Sequence, residues 1–149
     1  MNINGIAHIQ LSVTDLARSR AFWRPLFELF EMKVVLDNEQ VVYGIGGRTG
    51  ICLSPVDAAY RDDRFVQRRV GLHHLCFRLR SREDVDELHR VVVGLGAHIV
   101  HPPEEGLWAP GYYSVLFEDP DGIRVEANFV PGKGHLDDSA PPLRPAPGS

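Results

Sequence analysis

The chain repeats itself. With an offset of 66 positions, His8 falls on His74, Leu11 on Phe77, Val13 on Leu79 and Phe22 on Leu88. A repeat of this length within 149 residues is a duplicated supersecondary unit. Whatever the first half folds into, the second half must build again.

Residues 6–13 open the first copy. Ile9, Leu11 and Val13 are apolar, and His8, Gln10 and Ser12 alternate with them, which is the period of a strand with one face in a core. Asp15 is placed to cap a helix that runs to about Phe30, with Leu16, Phe22, Leu26 and Phe27 at helical spacing. Pro25 predicts a kink or an early break in it. The second copy opens with Leu75, Phe77 and Leu79 on one face and His74, Cys76 and Arg78 on the other. Ser81 to Asp84 reads as a capping box, and the helix it starts ends near Val93, at Gly94 or Gly96. Further strands are predicted at 32–36, 40–45 and 50–53, and at 97–101, 114–117 and 123–129. The dipeptides Gly46-Gly47 and Asp121-Gly122 are the hairpin turns before each last strand. The fold class is therefore α+β, two β-α-β-β-β modules over residues 1–66 and 67–130. Residues 131–149 form a Pro- and Gly-rich tail without a core of its own.

Composition narrows the function. Hydrophobic residues reach 44%, enough for a core, and the net charge of −4 comes from interspersed acids and bases. The absence of a basic stripe argues against nucleic acid, and the absence of a long apolar run argues against a membrane. The N-terminus lacks the layout of a signal peptide, so a cytoplasmic address is expected. Cys52 and Cys76 are expected to be free thiols.

The polar strand faces carry the candidate chemistry. His8 and His74 hold equivalent places in the two modules. In the last strand Ile123, Val125 and Ala127 share one face, and Arg124, Glu126 and Asn128 share the other. If the modules pair about a pseudo-twofold axis, the two imidazoles converge and Glu126 can join them. Two histidines and a carboxylate form a facial triad that leaves positions for water and substrate on a metal. His73, next to His74, should point the other way by strand alternation.

Three strings now resemble a known superfamily. Gly5-Ile-Ala-His8-Ile-Gln-Leu-Ser-Val-Thr-Asp-Leu with Arg18-Ser-Arg-Ala-Phe-Trp23 is similar to the opening of vicinal oxygen chelate proteins, the glyoxalase/bleomycin resistance/dioxygenase group. Gly71-Leu-His-His74-Leu-Cys-Phe resembles the start of their second module, and Asp119-Pro-Asp-Gly-Ile-Arg-Val-Glu126 resembles their closing motif. The resemblance spans about residues 3–130. It implies a mixed-sheet cup around a divalent metal (zinc, nickel, manganese or iron) held by His8, His74 and Glu126, with Glu126 also taking up a proton. It further implies a homodimer whose composite sites draw His8 from one chain and His74 and Glu126 from the other.

The chain departs from the best-known branches. Glyoxalase I enzymes carry a fourth ligand, Glu or Gln, where Cys52 stands. Ring-cleaving dioxygenases and fosfomycin transferases carry Tyr where Leu116 stands, and the transferases carry Thr where Gln10 stands. Gln10, Cys52, Trp108 and Tyr113 are expected to line the pocket, with the aromatic loop 104–113 as a cover. The reading is a metal-dependent, glyoxalase-like lyase or isomerase acting on a small molecule with vicinal oxygens. The alternatives are an antibiotic-resistance protein (a fosfomycin-type thiol transferase or a bleomycin-type drug binder) and a ring-cleaving dioxygenase.

Overall fold

Strand β1 (His8–Val13) shows the alternation at once: Leu11 and Val13 are buried while His8, Gln10 and Ser12 are exposed. The computed structural model describes residues 1–139, so the tail from 140 to 149 lies outside the described residues. After β1 come α1 (Leu16–Leu29), β2 (Lys33–Asp37), β3 (Val42–Gly46) and β4 (Thr49–Pro55). The same order returns as β5 (Leu75–Arg78), α2 (Arg82–Gly94), β6 (His98–Glu105), β7 (Tyr113–Glu118) and β8 (Arg124–Phe129). The strands form two four-stranded mixed sheets, ordered β1-β4-β3-β2 and β5-β8-β7-β6, with β1/β4 and β5/β8 parallel. The fold is thus α+β with a duplicated β-α-β-β-β unit.

The helices start where their caps dictate. The Asp15 carboxylate accepts from Arg18 N at 3.0 Å, and Ser81 Oγ accepts from Asp84 N at 3.1 Å. Each cap satisfies one of the amides that a helix N-terminus leaves unpaired. The break expected at Pro25 does not occur: α1 is continuous through it. An interior proline costs about 3 kcal/mol. Phe22, Trp23, Leu26 and Phe27 are buried from the same helix, each contributing about 1.5–3 kcal/mol. Burial wins, and the helix stays whole. Phe27 lies flat on β3, where a Cβ at Gly44 would stand 2.9 Å from its ring.

The hairpin between β3 and β4 also differs by one residue from the sequence reading. Gly46 still pairs with Thr49, so the two turn residues are Gly47 and Arg48, with φ of +56° and +67°. That is the left-handed pair a tight hairpin requires. Gly46 stays in the strand, packed on Met32.

By packing, Met1–Phe65 and Pro120–Gly122 form one unit; Val66–Asp119 and the residues from Ile123 onward form the other. Within the first unit, Asp121 is only 3% exposed. Its carboxylate accepts from Thr14 N at 2.9 Å, from Thr14 Oγ1, and from Arg18 Nη2 at 2.7 Å. Phe65 N donates to its backbone carbonyl at 3.2 Å. Within the second unit, Val85, Leu88 and Val92 of α2 are buried, as are Val115, Phe117, Val125 and Ala127 of β7 and β8. No helix among the described residues is long and apolar enough to cross a membrane.

Replacing Asp121 with alanine strands the Thr14 amide and hydroxyl and the Arg18 guanidinium together. We expect Asp121→Ala to lower the unfolding free energy by about 2–3 kcal/mol, read as a lower urea midpoint. An unchanged midpoint would show that the carboxylate is replaceable by water.

Candidate functional site

In β8, Val125 and Ala127 are fully buried, so Arg124, Glu126 and Asn128 must face the other way. Glu126 pairs with Cys76 on β5 and Leu116 on β7. Its side chain is only 12% exposed, so its charge needs partners. One oxygen, Oε2, lies 3.0 Å from His74 Nε2. The other, Oε1, accepts a hydrogen bond from the Tyr112 hydroxyl. The Asn128 amide in turn hydrogen-bonds to that hydroxyl.

His74 is held on its far side as well. Its Nδ1 is 2.7 Å from His73 Nδ1, and Gln67 Nε2 lies 3.2 Å from the same His73 nitrogen. An amide NH2 can only donate, so His73 Nδ1 accepts from Gln67. The two imidazoles share one proton across the short Nδ1–Nδ1 contact. The contact fixes the orientation of the His74 ring and leaves Nε2 to face Glu126.

Residues 73 and 74 precede β5, and the backbone at Gly71 is left-handed (φ +138°). Strand alternation therefore does not apply there, and the His73 ring turns onto His74, with centroids 5.0 Å apart, instead of away from it. Partial loss of water comes first, and the neighbouring His74, Arg68 and Arg124 add to it in pushing the His73 pKa below the usual histidine range.

The donor set suits a divalent ion. One imidazole nitrogen and one carboxylate oxygen at 3.0 Å match the separation of two adjacent ligands bound at about 2.0–2.2 Å. Cys76, an exposed residue, sits beside them with its thiol pushed up to about 12, first by local loss of water and then by the Glu126 carboxylate. It is thus held as a neutral thiol.

The first unit holds the other predicted residues. His8 opens β1 opposite Gly50 and stands edge-on to Tyr43, with centroids 6.4 Å apart. Gln10 pairs with Cys52, just as Cys76 pairs with Glu126. The repeat places Gln10 on Cys76, so the ladder makes Cys52 the counterpart of Glu126. Gln10 Nε2 donates to Ser54 Oγ at 3.1 Å, and Cys52 is half-buried, with its thiol pushed up by that burial. Among the described residues, no three His, Cys, Asp or Glu side chains gather as a metal site.

The two loop aromatics go elsewhere. Tyr113 donates to Asp86 Oδ1 at 2.8 Å, and Arg82 stacks 3.9 Å from its ring centroid, so it faces α2. Trp108 is exposed, and its carbonyl accepts from His135 Nε2. The residue that reaches Glu126 is Tyr112, which the sequence reading passed over. Counting back by twos from Leu116, opposite Glu126, through Ser114 leads to Tyr112, and that parity was the available signal.

A β-bulge between His98 and His101 puts both opposite the Glu126 face of β7: His98 pairs with Glu118 and His101 with Leu116. His98 Nδ1 and Arg124 Nε lie 3.0 and 3.2 Å from the Glu118 carboxylate.

Duplicated β-α-β-β-β units with a polar face opposite the helix match a known group. Residues 5–127 match the model of the Glyoxalase/Bleomycin resistance protein/Dioxygenase superfamily. The chain belongs to that superfamily. A Bacillus halodurans protein of known structure is 29% identical with a TM-score of 0.75, over 85% of this chain and 96% of that one. Lactoylglutathione lyase from Agrobacterium tumefaciens is 26% identical with a TM-score of 0.62, over 87% and 96%. Uncharacterized protein YqjT of Bacillus subtilis is 29% identical over 80% of this chain and 94% of its own length.

The thiolate is the reactive form of cysteine. In metal-free protein at pH 8, Cys76 is therefore expected to take up iodoacetamide at least about tenfold more slowly than in the urea-unfolded chain, followed by peptide mass mapping. The folded chain keeps this proton at pH values where the unfolded chain has lost it. The associated stability is full below about 9 and is lost as pH rises toward about 12. Equal labelling rates would contradict the placement of the thiol beside Glu126.

Proposed function

We propose that this chain is a metal-dependent enzyme of glyoxalase-like lyase or isomerase chemistry, acting on a small molecule with two neighbouring oxygens. The observation that carries the reading is the His74–Glu126 pair. Nε2 and Oε2 face each other at 3.0 Å, and His73, itself in contact with Gln67, holds the far side of the ring through Nδ1. A second residue that fixes the orientation of a histidine is a common companion of metal ligation.

When bound, a divalent ion would supply Lewis acidity to the two substrate oxygens. His74 and Glu126 are the ligands we assign in the second unit, and His8 of a partner copy completes a facial triad. Glu126 is also the proton acceptor we assign, because it is the carboxylate of that face nearest His74. The likeness to the Agrobacterium lyase favours this chemistry. Leu116 stands opposite Glu126 where the dioxygenase and transferase readings drawn from the sequence call for Tyr, which counts against them, although the Tyr112 hydroxyl reaches Glu126 from another position.

His74→Ala, Glu126→Ala and His8→Ala should each abolish most zinc or manganese binding by calorimetry. His73→Ala should weaken it by about tenfold. Refolding His8→Ala chains together with Glu126→Ala chains should restore binding at one of the two sites of each mixed dimer. Full binding by His74→Ala would end the assignment, and a mixture that recovers nothing would end the shared site. A wild-type protein that holds no metal and turns nothing over would point to a drug-sequestering protein instead.

A further inference from the structure

Tyr112 has a place in the second unit that the ligand assignment does not use. Its side chain is nearly buried, at 8% exposure. Its ring lies against Gly106, where an added Cβ would stand 2.9 Å from it. Gly106 N donates to Tyr112 O at 3.0 Å, and Tyr112 N donates to Ala109 O at 3.1 Å, so the loop closes on itself just before β7. Gly111, at φ +70°, abuts Pro131 of the chain beyond β8, leaving no room for a Cβ. A tyrosine held this firmly cannot swing freely, so its hydroxyl is directed. Asn128 hydrogen-bonds to the hydroxyl, and the hydroxyl proton goes to Glu126 Oε1.

A carboxylate can offer a cation one oxygen or both. With one lone pair of Oε1 engaged by a neutral hydroxyl, Oε2 is the freer oxygen, and it lies on the side of His74. We propose that Tyr112 is a positioning residue that restricts Glu126 to single-oxygen coordination and so keeps one more coordination position available for substrate. The inference rests on the metal reading above, and it concerns how many positions stay open rather than which residues ligate.

The test is a manganese titration of full-length wild type, Tyr112→Phe and Tyr113→Phe, read by water-proton relaxation and electron paramagnetic resonance. Phenylalanine keeps the ring against Gly106 and removes only the hydroxyl. Tyr112→Phe should bind Mn2+ at least as tightly as wild type, with about one fewer exchangeable water on the ion, because Oε1 is released to bind. Tyr113→Phe, which loses its Asp86 partner on the other face, should match wild type. A Tyr112→Phe relaxivity equal to wild type overturns the inference and leaves the metal reading standing. An equal fall in both variants overturns it too, since loop damage would then explain the change. A wild-type protein that takes up no Mn2+ overturns the metal reading and this inference with it.

Discussion

One helix can cover only one face of a four-stranded sheet. In each unit the helix takes the face with the apolar alternation, and the core forms there: Trp23, Leu26 and Phe27 against Val42, Ile51 and Leu53, and Val85, Leu88 and Val92 against Val115, Phe117 and Val125. The residues between them are sent to the opposite face by the pleat. The candidate site in the second unit stands on that second face. Glu126 is the clearest case, flanked in its own strand by two fully buried residues, so its orientation follows from theirs.

A carboxylate only 12% exposed is costly unless hydrogen-bonded. The second unit supplies partners from both directions. Asn128 and Tyr112 engage one oxygen, while Gln67 and His73 orient the imidazole that faces the other. On the Tyr112 side the polarity runs inward, from the Asn128 amide through the hydroxyl to the carboxylate. What remains at the centre is a nitrogen and an oxygen turned toward each other.

The duplicated ladder also shows how the two copies have diverged. Gln10 and Cys52 occupy the register that Cys76 and Glu126 occupy in the second unit. At that register the first face holds no charge, with Gln10 bonded to Ser54 and Tyr43 folded over Gly50. The charged member of the pair exists in one copy only. The motif strings in turn and helix have a structural use as well. Asp121 of the Asp-Pro-Asp-Gly turn is the acceptor for Thr14 and Arg18 at the start of α1, so part of what makes the sequence recognisable is a buried carboxylate cluster.

The sequence by itself determined the duplicated β-α-β-β-β order, both helix caps, the face on which Glu126 lies and its equivalence to Cys52. These follow from periodicity and from local side-chain-to-backbone bonds, which need no distant partner. Tertiary structure decided whatever depends on a shift of one residue. A strand that starts at Tyr113 sends Tyr113 to α2 and Tyr112 to Glu126, and moving that parity by one exchanges the two. The irregular backbone before β5 turned His73 onto His74, and the bulge in β6 brought His98 and His101, three apart in sequence, to one face. Helix α1 ran through Pro25 because its buried aromatic residues outweighed one missing bond. Bulges, strand ends and tolerated prolines are settled by packing and hydrogen bonds to other segments, and a local pattern carries no record of those segments.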